Sequence, residues 1–156
     1  MTGFNHGITG AVIALTVKQP VLAVPLSFVS HYFQDLIPHW DYGVSREADK
    51  NGNFFTKRFN LSLLADFIFS VILMIVLAIL FPTHKLLIWG CMAAAASPDL
   101  VWAYYRLYRE HIKMQKPKYD PLSNLHHKMQ WSQTSAGALV EIAWAIAGLS
   151  IILSMR

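Results

Sequence analysis

Three stretches of this chain are each about 20 residues long and almost wholly apolar, the length a helix needs to cross the hydrocarbon of a bilayer. They run from Leu61 to Pro82, from Leu86 to Tyr105 and from Thr134 to Met155. Backbone amides in hydrocarbon must be satisfied within the protein, so such stretches are expected to be helices. Composition agrees with that reading. Hydrophobic residues make up 54% of the 156 and charged residues only 14%, about half the charge of an average soluble domain. The expected fold is therefore all-α, a polytopic helical membrane bundle of about four to six helices in a single integral domain, residues 1–156.

The first third is less regular. Gly7 to Val17 is apolar but spans only about 16 Å as a helix, and Lys18-Gln19-Pro20 interrupts it. A helical hairpin fits best, with Phe4 to Val17 going in, a turn at Lys18 to Pro20, and Val21 to about Ile37 returning. The alternative, one kinked span from Ile8 to Ser30, would leave Lys18 inside the bilayer at a cost of about 3 kcal/mol or more. No basic segment precedes the first apolar run, so no cleavable leader is expected. The single cysteine, Cys91, lies within a span and offers no disulfide or thiolate cluster.

Two polar stretches, Gly43 to Asn60 and Arg106 to Gln133, carry most of the positive charge: Arg46, Lys50, Lys57 and Arg58 in the first, Arg106, Arg109, Lys113, Lys116, Lys118 and Lys128 in the second. Two spans separate them, so both lie on one side, and the positive-inside rule makes that side cytoplasmic. The net charge of +4 is then a matter of topology and anionic lipid, and nucleic acid is not an expected partner. Within the second stretch, Asp120-Pro121 has the form of an N-cap followed by Pro at the first helical position, predicting a short interfacial helix from Leu122 to Trp131.

Each span holds one acidic residue, and the three sit at similar depth. At the helical rise, Asp66 lies about 7 Å beyond Leu61, Asp99 about 9 Å before Tyr105 and Glu141 about 10 Å past Thr134, all measured from the basic side. The hairpin brings His6, His31, Asp35, His39 and Asp41 to that face, and the interfacial helix adds His126 and His127. Ionised groups in hydrocarbon are costly unless they are paired, metal-bound or open to water, so a convergent layer of them marks a functional site.

The densest part is Ser30 to Asp41. His31 and Asp35, at i and i+4, share a helix face and can grip one ion. Pro38 then ends or kinks the helix, freeing His39 and Asp41 to turn back toward the same ion or a neighbour. Imidazole and carboxylate without thiolate suit Zn, Mn or Fe, two or three ions per chain. His6, Asp66, Asp99, Glu141 and one of His126 and His127 complete the candidate ligands. Asp66 and Asp99 have a second reading, as partners orienting imidazoles or as polar contacts between helices, and Asp99, in Ser97-Pro98-Asp99, a third, a kink with a local cap. Glu141 divides between ligand, general base and interhelical hydrogen bond.

His6, the string from His31 to Asp41, Ser97-Pro98-Asp99 and the His126-His127 pair together resemble a family of predicted membrane-bound metal-dependent hydrolases that includes LexA-regulated inner-membrane proteins of enterobacteria. The likeness spans most of the chain, with the Pro-Asp and His-Asp elements in exchanged order. His31-Tyr32-Phe33-Gln34-Asp35 is also similar to the HYxxD element of zinc-dependent phospholipase C and the S1/P1 nucleases. That second likeness implies Asp35 as a metal bridge, with His31 and His39 on either side. The chain departs from it in lacking an N-terminal Trp ligand and a second H-x-x-x-D/E element, Gly137 standing four residues before Glu141.

The expected activity is hydrolysis of a phosphoester or ester of a lipid-like substrate by a metal-activated water, with Asp35 and Glu141 as catalytic residues and Lys57, Arg58 or Lys128 binding an anionic headgroup. The expected setting is the bacterial inner membrane, with membrane lipid around the bundle and the site at its cytoplasmic face. A proton or divalent-cation transporter is the alternative, although that class usually shows inverted repeats and a midplane site. A haem protein using His pairs would not need these carboxylates.

Overall fold

The structure, a computed structural model, describes residues 1–40, 57–105, 108, 120–129 and 132–156. Six helices lie among them: α1 (Gly3–Val17), α2 (Pro20–Asp35), α3 (Lys57–Leu80), α4 (Lys85–Ala103), α5 (Pro121–Met129) and α6 (Gly137–Ser154). The fold is all-α. Three helical stretches, Phe59–Leu80, Lys85–Ala103 and Gly137–Ser154, are long and apolar enough to cross a membrane. Their outward side chains are apolar too: Ile79, Leu86 and Leu139 are each more than 70% exposed, as lipid-facing residues are.

The hairpin forms as expected. Lys18 ends α1 by taking the left-handed conformation at φ 59°, its N–H returning to the Ala14 carbonyl, and Pro20 opens α2 with its fixed φ and no N–H to satisfy. The single kinked span is thereby excluded. At 15 residues, α1 is about 22 Å long, short of the hydrocarbon thickness, yet it packs against α2, α3, α4 and α6 and forms the axis of the bundle. Small residues allow this. Gly10 rests on the Cys91 carbonyl of α4, where any Cβ would meet backbone. Ile8, Ala11, Ala14 and Leu15 of α1 join Leu73, Leu77, Ile88, Met92 and Ile152 in the apolar core.

The interfacial helix also starts where Asp120-Pro121 places it. Asp120 Oδ1 accepts from Leu122 N at 2.9 Å, and its Oδ2 accepts from Tyr105 Oη–H at 3.0 Å, which ties the start of α5 to the chain leaving α4.

Candidate metal centre

Most of the buried polar residues described gather around the first turns of α1. His6, His31, Asp35, His39 and His126 are each no more than 1% exposed. Four of the sequence-derived candidates, His31, Asp35, Asp99 and His126, offer one ligand atom each, all within 4.8 Å of one another. They come from α2, α4 and α5, which explains why the spacing within any single segment reveals only His31 and Asp35.

The distances have a chemical meaning. His31 Nε2 lies 3.2 Å from Asp35 Oδ2 and 3.2 Å from His126 Nε2, while His126 Nε2 lies 3.0 Å from Asp35 Oδ2. Asp99 Oδ1 is 3.4 Å from His126 Nε2 and 3.7 Å from His31 Nε2. Four N/O ligands placed tetrahedrally at about 2.0–2.1 Å from an ion are separated by about 3.3 Å along each edge. These five separations bracket that value, so the four residues have the spacing to hold a divalent ion.

The tautomer of His31 agrees. Its Nδ1 meets the Ala95 carbonyl at 2.7 Å; a carbonyl only accepts, so Nδ1 carries the hydrogen and neutral His31 presents the Nε2 lone pair to the cluster. Ser97-Pro98-Asp99 follows in the same helix. Pro98 lies inside α4 and, lacking an N–H, leaves the Ala94 carbonyl without its helical donor; Ser97 Oγ–H supplies one at 2.8 Å. Around this turn the Ala95 carbonyl faces His31, and Asp99 faces the imidazoles of His31 and His126.

Asp66 and Glu141 share the depth of the cluster but do not enter it. Asp66 accepts from Gly3 N at 3.0 Å and Phe4 N at 2.9 Å. Glu141 Oε2 accepts from Thr2 N at 3.1 Å and Asn5 Nδ2 at 3.0 Å, and its Oε1 from Trp40 N at 3.1 Å. Both carboxylates therefore hold the amino end of α1, where unsatisfied N–H groups and the helix dipole attract negative charge. This is the interhelical reading of these residues rather than the ligand reading, and it fixes α1 where His6 meets the cluster.

His6 Nε2 stands 3.3 Å from Asp35 Oδ1 and 3.9 Å from Asp99 Oδ2. Its Nδ1 meets Gln34 Oε1 at 3.0 Å. Gln34 was not among the expected functional residues; a neutral amide beside Asp35 carries no signal of its own in the sequence. Asp35 Oδ1 also meets the Met1 amino nitrogen at 2.6 Å.

His39 is brought beside the cluster but is turned by its own backbone. Its Nδ1–H donates to the Ile37 carbonyl at 2.9 Å, its carbonyl accepts from Thr134 N at 2.9 Å, and the absence of a side chain on Gly137 lets α6 press against that backbone. Ser132 Oγ, 3.0 Å from both the Asp35 and Ile37 carbonyls, fastens the end of α2. Burial holds the His39 imidazole below its usual range. His126 goes the other way: burial opposes its charge, but hydrogen bonding to Asp35 and Asp99 outweighs this and pushes it up to about 9.

Asp41 lies outside the described residues, as do the side chains of His127, Lys57 and Arg58. Lys128 is exposed on α5.

Fold and cluster together define a membrane-spanning helical bundle with a buried His and Asp constellation that could bind metal. Comparison with protein-family models, with curated proteins and with solved structures gives no match in any of the three.

Proposed function

We propose that this protein is a membrane-embedded metal-dependent hydrolase that cleaves a phosphoester or ester bond of a lipid-like substrate. The observation that carries the reading is the gathering of one ligand atom each from His31, Asp35, Asp99 and His126 within 4.8 Å of one another, with five of the separations between 3.0 and 3.7 Å. Zinc suits two imidazoles and two carboxylates, with Mn or Fe as alternatives.

Within the cluster His31, Asp35 and His126 lie closest together, and Asp99 stands farther out. The exposures follow the same order. The side chains of His31 and Asp35 are 0% exposed and that of His126 is 2%, whereas Asp99 is 33% exposed. With His31, Asp35 and His126 as the close ligands and Asp99 farther out, the fourth position would be open to exchange for water or substrate, as in catalytic zinc sites. When bound there, a divalent ion would lower the pKa of a water toward neutrality and stabilise charge on a phosphoryl or carbonyl oxygen. The Ala95 carbonyl fixes the tautomer of His31, and Asp99, the most exposed of the four ligands, marks the side of approach. Glu141, engaged by three donors, acts as a positioning residue for the end of α1.

The excess of basic residues flanking the spans favours a setting with this end at the cytoplasmic face of a bacterial inner membrane, in which Lys57, Arg58 or Lys128 would bind an anionic headgroup. A transport pathway would need polar groups continuing along the bundle. Beyond His6 the buried positions of α1 are instead Gly7, Ile8, Gly10, Ala11, Ala14 and Leu15, and the larger of them pack with Leu77, Ile88 and Ile152, which favours hydrolysis at one face.

The test is hydrolysis of phospholipids and of soluble phosphoesters by zinc-loaded protein in vesicles. Turnover abolished by chelation and by Asp35→Ala supports the proposal. Metal-loaded protein inactive on both classes, but passing protons or divalent ions across the vesicle, would replace it with transport.

A further inference from the structure

The carboxylates of the cluster divide their oxygens between two sets of imidazoles. Asp35 turns Oδ2 to His31 and His126 and Oδ1 to His6, at 3.2, 3.0 and 3.3 Å. Asp99 does the same at longer range, Oδ1 to His31 and His126 and Oδ2 to His6, the last at 3.9 Å.

His6 is set up as a donor of electrons rather than of a proton. Gln34 Nε2 donates toward the Asn5 carbonyl at 3.4 Å and lies 3.5 Å from Met1 Sδ, which leaves Gln34 Oε1 to accept from His6 Nδ1–H. The lone pair is then on Nε2. That atom is fully buried and has no hydrogen-bond partner, and it faces two carboxylate oxygens, Asp35 Oδ1, which also meets the Met1 amino group, and Asp99 Oδ2; a buried lone pair aimed at carboxylates is a position that a cation satisfies. Ring geometry gives the spacing. His6 and His31 stack with centroids 3.9 Å apart and planes 20° from parallel, each with Nε2 toward the carboxylates, so ions before the two nitrogens would sit side by side. Two-metal hydrolytic sites hold their ions about 3.5–4 Å apart.

We infer that the site takes a second divalent ion, bound by His6 Nε2, Asp35 Oδ1 and Asp99 Oδ2, with Asp35 and Asp99 bridging the pair. This rests on the cluster being a metal centre, as in the proposed function, and deepens it: a paired-ion centre suits a phosphoester, whose attacking and leaving oxygens can each be neutralised by one ion. Asp35 Oδ1 already carries the cationic Met1 amino group at 2.6 Å, and the ion takes over as the partner of that oxygen. Among the described residues three protein ligands surround this position, which leaves room for substrate oxygens.

The test is to load metal-free, detergent-purified protein with Mn(II), count the bound metal and record its electron paramagnetic resonance spectrum. The wild type is expected to bind about two Mn(II) per chain with an exchange-coupled spectrum, and His6→Ala about one, with the uncoupled spectrum of an isolated ion. Coupling in the wild type carries the inference by itself should the variant lose all its metal through misfolding. A single uncoupled ion in the wild type, unchanged by His6→Ala, would overturn the second position and leave the hydrolase proposal standing. Wild type that binds neither Mn nor Zn would remove both.

Discussion

The two halves of α1 live in different chemical worlds. From Thr2 to His6 its neighbours are the carboxylates of Asp66 and Glu141, the amide of Gln34, and Asp35 and Asp99. From Ile8 to Leu15 they are Leu77, Ile88, Cys91 and Ile152. The apolar half adheres through close packing, which many side chains of similar volume can supply. At the polar half the carboxylates are tolerated because donors face them, since a buried charge left alone costs several kcal/mol. Hence the apolar half should govern stability and the polar half ligand binding.

That division can be broken by experiment. The largest effect is expected from His126→Ala, which removes a nitrogen at the centre of the cluster: zinc affinity, measured by competition with a chelating dye, should fall more than about 100-fold, because even the outer partners of metal ligands are worth about 10–100-fold. In the opposite half, Leu77→Ala empties a position that is 1% exposed and should lower unfolding free energy in detergent by about 2–5 kcal/mol with bound metal unchanged. If Leu77→Ala instead stripped the metal, the two halves would be one cooperative unit and the contrast would fail.

Asp66→Ala sharpens the boundary. It removes the acceptor for Gly3 N and Phe4 N and should cost about 1 kcal/mol, as the loss of a helix cap does, while zinc binding at His31, Asp35 and His126 persists. Loss of all zinc would restore Asp66 to the ligands. The last contrast is one of pH. With His126 held at about 9 in the metal-free protein, its ion pair with Asp35 stabilises the fold below the ordinary imidazole range and is lost as pH rises through about 9. Binding metal must displace that proton, so zinc affinity should climb about tenfold per pH unit between about 7 and 9 and then flatten. His126→Ala should remove that slope.

Much of this arrangement is legible in the chain. Apolar length locates α3, α4 and α6, Lys18-Gln19-Pro20 locates the hairpin turn, Asp120-Pro121 the start of α5, and the i, i+4 spacing of His31 and Asp35 the heart of the cluster. The depth calculation is legible as well: Asp66, Asp99 and Glu141 all stand at the level of the first turns of α1. What depth cannot supply is rotation about each helix axis. Spans that are apolar all round have no polar stripe to show which side faces inward, so Asp99, which turns to the imidazoles, looked the same as Asp66 and Glu141, which turn to backbone N–H groups. Gln34 and the Ala95 carbonyl were illegible for a related reason. They act by orienting His6 and His31, and neither a neutral amide nor a backbone oxygen stands out in a composition already rich in polar neighbours there.

The central claim is that His31, Asp35, Asp99 and His126 gather because they bind metal, and elemental analysis of the purified protein by inductively coupled plasma mass spectrometry, with Asp35→Ala beside it, tests it most directly. The account predicts stoichiometric Zn, Mn or Fe in the wild type, and near-complete loss in an Asp35→Ala protein that still inserts into the membrane and elutes as the wild type does. Stoichiometric metal retained in Asp35→Ala, or a wild type that stays metal-free after incubation with divalent ions, would contradict it.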